Sequence, residues 1–219
     1  MSVLTVSETA ARLGVTPRRV QQLVTLGQLR KVARGVIDVS SVERFEAVRG
    51  GVHTQAWALH TAWGAVALLS GLDAKWLGAT QRSRLKWRLR EIDTTGLVER
   101  TRGRAEVTRY RGHASARDRL ASEIVVQPTP ASLGLVGSSG VDGYVALEGV
   151  QNLVVQHGLI RDDDGLVTLR ATAFDLGIIR DIHDAGWVLT ALDLAESLDV
   201  RERRTGTDFL TQTVERFRG

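Results

Sequence analysis

The sequence predicts an α+β fold, and three observations predict it. Apolar residues recur at three- and four-residue intervals near the start and the end of the chain. Short alternating runs fall at residues 29–39, 143–147 and 166–172, and the two patterns follow one another without a regular β-α-β rhythm. At 219 residues the chain is long enough for two or three compact units. The expected units are residues 1–50, 51–126 and 127–219. The last boundary is set by Gln127-Pro128-Thr129-Pro130 and the glycine- and serine-rich residues 137–140.

In the first unit, Val6, Ala10 and Leu13 share one helical face over residues 5–13, with Ser7 placed to cap the first turn and Gly14 to end the helix. Thr16 as N-cap and Pro17 at the first helical position start a second helix at once. Val20, Leu23 and Val24 face inward, and Gly27 closes it. Two short helices joined by Gly14-Val15-Thr16 predict a helix-turn-helix. Residues 29–39 alternate around Ala33-Arg34-Gly35 as a hairpin wing would, and Ser40 or Ser41 caps a third helix carrying Val42, Phe45 and Val48.

The second unit repeats that order on a larger scale and is expected to be winged-helix-like. An apolar helix covers residues 57–69, a turn residues 74–77, and a basic helix residues 82–92 with Leu85, Leu89 and Ile92 inward. Strands at 97–101 and 105–110 then flank a tip at Arg102-Gly103-Arg104. The third unit, a small α+β domain, combines strands at 143–147 and 166–172 with helices at 150–157, 188–196 and 200–217.

Charge is unevenly distributed. Residues 1–130 hold 21 Lys and Arg against 11 Asp and Glu, whereas the remaining residues hold 8 against 14. The basic part suits a polyanion, and a nucleic acid is the natural one, because each phosphate neutralised releases condensed counterions. The absence of cysteine excludes disulfides, thiolate metal sites and cysteine nucleophiles and fits a reducing cytosol. The longest apolar stretch, residues 56–69, is interrupted by His60, Thr61 and Gly64 and is too short for a bilayer. With no signal sequence visible, a cytoplasmic protein without membrane association is expected.

No enzyme is expected. The histidines at 53, 60, 113, 157 and 183 show no ligand spacing, and Asp162-Asp163-Asp164-Gly165 lacks the ligand sequence of a calcium loop and suits a hairpin turn. The stretch GSSGVD at residues 137–142 is not followed by the carboxylate pair that a nucleotidyltransferase turn requires. Neither a metal nor a cofactor is implied.

A helix in a major groove reads bases from its N-terminal residues and anchors on phosphates with its flanks. Thr16, Arg18, Arg19, Gln21 and Gln22 occupy those positions, opposite Val20, Leu23 and Val24. Arginine grips guanine and glutamine grips adenine in bidentate fashion, each pair contributing about 1–3 kcal/mol of discrimination. Arg30, Lys31 and Arg34 on the hairpin suit phosphates or a minor groove. Arg82, Arg84, Lys86 and Arg88, with Arg102 and Arg104, form a second set suited to DNA or to an acidic protein partner. The stretch LTVSETAARLGVTPRRVQQLVTLGQLRKVARGVIDVSSVERF, with its pattern A..LGV..R.V..L...G.L, resembles the helix-turn-helix of excisionases and MerR-type regulators over residues 3–49.

Two later stretches, RGRAEVTRYRGHASARDRLASE at 102–123 and VLTALDLAESLDVRERRTGTDFL at 188–210, together resemble actinobacterial AbiEi-type antitoxins of type IV toxin-antitoxin systems. In the second, Asp193-Leu194 precedes the turn Ser197-Leu198-Asp199-Val200-Arg201 and a basic helix. The resemblance implies a winged-helix DNA-binding domain joined to a C-terminal antitoxin domain, with double-stranded operator DNA and a cognate nucleotidyltransferase-like toxin as partners. The function expected is therefore an antitoxin-like transcriptional regulator that binds its own promoter, as a homodimer or through both winged units. Two alternatives stand beside it. One is a one-component repressor whose strands 143–147 and 166–172 wall a small-molecule pocket; the other, implied by the excisionase-like start, is a recombination directionality factor.

Overall fold

Thr5 rather than Ser7 starts the first helix. Its hydroxyl accepts the Glu8 amide while the Glu8 carboxylate accepts the Thr5 amide, a reciprocal cap that satisfies two backbone donors at once. In this computed structural model, which describes residues 3–25, 28–49, 55–126, 140–197 and 199–219, the chain divides into two compact units, Met1–His53 and Thr54–Gly219. Gly27, residues 127–130 and residues 137–139, to which the sequence assigned a helix end and a domain boundary, lie outside the described residues.

The first unit runs β1 (Val3–Thr5), α1 (Val6–Leu13), α2 (Pro17–Thr25), β2 (Lys31–Ala33), β3 (Val36–Asp38) and α3 (Val39–Arg49). Gly14 ends α1 at φ +62°, a conformation that costs glycine nothing because it has no Cβ. The three strands pair antiparallel in the order β1-β3-β2, with Gly35 in the β2–β3 turn. The Val6 amide donates to the Gly35 carbonyl and so ties that turn to the start of α1. Ala10, Val20, Leu23, Leu29, Ile37 and Val42 form the core. Across it, the Arg12 guanidinium of α1 grips the Glu46 carboxylate of α3 at 3.0 and 2.8 Å.

The second unit contains α4 (Leu59–Leu69), α5 (Ala79–Glu91), α6 (Thr94–Thr101), β4 (Glu106–Arg111), α7 (Ala114–Ala121), β5 (Val125–Val126), β6 (Val141–Ala146), α8 (Val150–Gln156), β7 (Ile160–Arg161), β8 (Val167–Thr172), α9 (Leu176–Asp184), α10 (Val188–Ala195) and α11 (Val200–Arg218). One five-stranded sheet, ordered β5-β6-β8-β4-β7, draws strands from both sides of the expected 126/127 boundary, so residues 54–219 fold as a single unit. β6 and β8 are parallel, with α8 between them in sequence, so a β-α-β connection is present where none was expected.

The wing expected at residues 97–110 does not form. Asp93 accepts the Gly96 amide and starts α6, whose Leu97 and Thr101 are buried one turn apart, so residues 97–101 are helix. β4 pairs instead with β8 on one side and β7 on the other. The Asp162–Gly165 turn accordingly joins two strands that enclose β4 rather than a hairpin; the Asp164 amide donates to the Asp162 carboxylate and the Gly165 amide to the Asp162 carbonyl.

Alternation along the strands sends successive side chains to two cores. Tyr144 packs with α4, α9 and α10, where Trp63 and Phe174 stack at 5.5 Å; Val145, Leu169 and Tyr110 pack with Leu120 of α7 and Leu153 and Val154 of α8. Both faces of the β6–β8 pair thus carry packed side chains. Residues 188–194 of α10 are buried throughout, and α11 lies close against them. At Gly206 the two helices come close enough that a Cβ would stand 2.5 Å from the Ala191 carbonyl oxygen and 2.6 Å from the Ala195 nitrogen. Gly206→Ala should therefore lower the urea midpoint through overpacking of about 1–3 kcal/mol, although alanine is the better helix former.

Candidate nucleic-acid interface

The second helix of the first unit separates its residue types by face. Val20 and Leu23 are fully buried, whereas Thr16, Pro17, Arg18, Arg19, Gln21 and Gln22 are exposed. The Thr16 hydroxyl accepts the Arg19 amide at 3.3 Å, so the residue chosen as N-cap from sequence does meet the first turn. Arg18 and Arg19 both lie in the first turn of the helix. Arg19 reaches Gln22 at 3.4 Å, one turn along the same face.

The hairpin supplies the second part. Arg30, Lys31 and Arg34 are exposed, as is every residue of β2, while Ile37 of the neighbouring strand is buried in the core. Its base is fixed by the Ser41 hydroxyl, which accepts the Arg30 amide and donates to the Asp38 carbonyl. Within this unit, then, all eight candidate residues reach solvent from two elements that share one core.

The second basic set is not brought together. On α5, Arg84, Lys86 and Arg88 are exposed around buried Leu85 and Leu89, but Arg82 is half-buried beside Asp73 at 3.4 Å. Arg102 is exposed, whereas Arg104, expected beside it on a wing, is 2% exposed and lies inside the unit. The assignment of Arg104 to a DNA or partner contact is therefore corrected: it is a core residue.

What surrounds Arg104 is the feature that sequence reasoning missed. Its Nη2 donates to Asp193 at 2.6 Å and Glu196 at 2.7 Å, its Nη1 to Glu196 at 3.0 Å and the Thr101 carbonyl at 3.2 Å, and its Nε to the Tyr144 hydroxyl at 3.0 Å. Tyr144 in turn donates to Asp193 at 2.8 Å. Arg170 grips Asp142 at 2.7 and 2.8 Å and approaches Asp193 at 3.1 Å. Even the Arg104 carbonyl is occupied, accepting from Trp63 and Thr172.

Burial opposes the charge on Arg104, but Glu196, Tyr144 and Asp193 outweigh it and hold its proton more tightly than in an exposed arginine. Arg170 is raised in the same way by Asp142 and Asp193 against its own desolvation. Burial pushes the Tyr144 phenol well above 10.0, against the pull of Arg104. Two guanidiniums and three carboxylates thus share one buried cluster, in which only the Asp193 Oδ2 lacks a hydrogen-bond partner among the described residues. No sequence pattern announces the cluster, because its members come from four separate stretches between residues 101 and 196.

Among the described residues no group of His, Asp and Glu is placed to hold a metal ion, and no helix is long and apolar enough to cross a membrane. No known family, curated protein or solved structure matches this chain.

Asp193→Ala should cost about 3–5 kcal/mol in chemical denaturation, because it removes the carboxylate that two buried guanidiniums share, while Arg104→Met combined with Asp193→Leu should recover part of that loss. The phenol gives a second test. A folded-state pKa raised above the unfolded value contributes stability that is intact below the unfolded pKa, here about 10, and is lost as pH rises beyond it. The wild-type chain should therefore lose stability above pH 10 more steeply than Tyr144→Phe, even though the variant starts lower at neutral pH.

Proposed function

We propose that this protein is a sequence-specific DNA-binding transcriptional regulator whose N-terminal unit is a winged helix-turn-helix. The observation that carries the reading is the division of α2, with Arg18, Arg19, Gln21 and Gln22 exposed and Val20 and Leu23 fully buried. The exposed set matches the donor and acceptor chemistry of base edges, and the hairpin cations Arg30, Lys31 and Arg34 suit the flanking phosphates. Electrostatics point the same way, since residues 1–53 contain eight Arg and Lys against four Asp and Glu.

The same proposal gives the second unit the antitoxin role that its resemblance implies, binding and neutralising a nucleotidyltransferase-like toxin while the first unit holds the chain on its own promoter. One structural fact supports treating residues 102–123 and 188–210 as a pair: Arg104 of the first stretch and Asp193 of the second are joined by the buried ion pair. Because Asp193 is internal, contact with a toxin falls to exposed residues of those stretches such as Arg201, Arg204 and Asp208.

In a gel-shift titration against the promoter duplex, Arg18→Ala with Arg19→Ala should weaken binding by about tenfold or more. Lys31→Ala with Arg34→Ala should lower affinity for all duplexes alike and reduce the salt slope by about 2. The Arg18/Arg19 variant should still protect cells that express the neighbouring toxin. Unchanged promoter affinity would refute the DNA reading, and loss of protection by that variant would refute the division of labour.

A further inference from the structure

Away from the buried arginine cluster, the second unit carries a cleft of about 650 Å³ between the segment entering α4, the C-terminal half of α5, and α6. Its wall includes Trp57, Trp87, Arg88, Glu91 and Arg100. Trp87 is the most exposed aromatic side chain of the chain's described core-forming types, at 63%. Helix geometry accounts for its position but not its identity: it stands between buried Leu85 and Leu89 on a helix whose other outward residues are polar or charged apart from Ala79. An indole left in water has surface to gain from covering.

The other groups narrow what would cover it. Arg88 and Arg100 face one carboxylate, Glu91, so the cleft favours an anion. The Arg100 guanidinium lies over the Trp57 ring, 5.9 Å from its centre, which holds that cation at the wall. Trp57 is 8% exposed and forms a buried part of the cleft wall. A flat aromatic surface and two guanidiniums match a planar ring joined to a phosphate.

We propose that this cleft binds an unpaired nucleotide, with the base stacked on Trp87 and the phosphate held by Arg88 and Arg100. Arg84, Lys86 and Arg90 are also exposed on α5, so the helix carries further positive charge beyond the cleft. A base inside a duplex is covered by its neighbours and cannot meet Trp87, so the site is independent of the double-strand reading proposed for α2.

The test uses the full chain and a short fluorescein-labelled oligothymidylate followed by anisotropy, with free thymidine monophosphate and polyglutamate as competitors. Trp87→Ala should weaken oligothymidylate binding by about tenfold, and Arg88→Ala should weaken it by a smaller factor. Arg18→Ala with Arg19→Ala should leave it unchanged. Competition by the monophosphate would assign the ligand as a free nucleotide, and its failure to compete would assign the ligand as a strand. Binding that is absent in the wild type, indifferent to Trp87→Ala, or displaced by polyglutamate as readily as by unlabelled oligothymidylate would overturn the proposal.

Discussion

The second unit depends on burying Arg104. A guanidinium has five donors and cannot give up its charge, so taking it out of water requires acceptors on every side. Asp193, Glu196, Tyr144 and the Thr101 carbonyl supply them, and they belong to α10, the turn after it, β6 and α6. Arg170 of β8 and Asp142 of β6 extend the same compensation into the sheet. Because each member is costly to leave alone, the sheet, α6 and α10 are fixed relative to one another at one point.

That constraint explains why residues 54–219 do not separate into a winged unit and a partner-binding domain. β4 leaves the Arg104 turn and enters the middle of the sheet, between β8 and β7, so the segment expected to close a second wing instead supplies a central strand. Trp63 adds to the join by donating to the Arg104 carbonyl from within α4 while packing on Tyr144 and Phe174. Helices and sheet therefore share one core on that face.

Charge must be read in the same light. A count along the chain makes residues 1–130 strongly basic, yet Arg104 is internal and Arg82 lies beside Asp73. What remains exposed is concentrated in α2, the β2–β3 hairpin and α5. The C-terminal excess of acidic residues is likewise partly consumed inside, since Asp193 and Glu196 balance Arg104 and Arg170. Surface electrostatics thus differ from the linear tally by the groups that fold against each other.

Local signals in the sequence determined the first unit closely. Gly14, Thr16, Pro17 and the spacing of Val20 and Leu23 are decided within a turn or two, by dihedral preference, capping and apolar period, and the exposed face of α2 follows from them. Even there the cap moved from Ser7 to Thr5, because the Thr5-Glu8 reciprocal bond satisfies one more donor. The apolar period likewise located α4, α5, α10 and α11. Only the tertiary structure decided that residues 97–101 are helix, that β4 joins β8, and that Arg104 is a core group. Each of those outcomes turns on partners up to about ninety residues away, such as Asp193 and Glu196 for Arg104, and an arginine in a turn reads as solvent-exposed until the carboxylates that can bury it are brought to it.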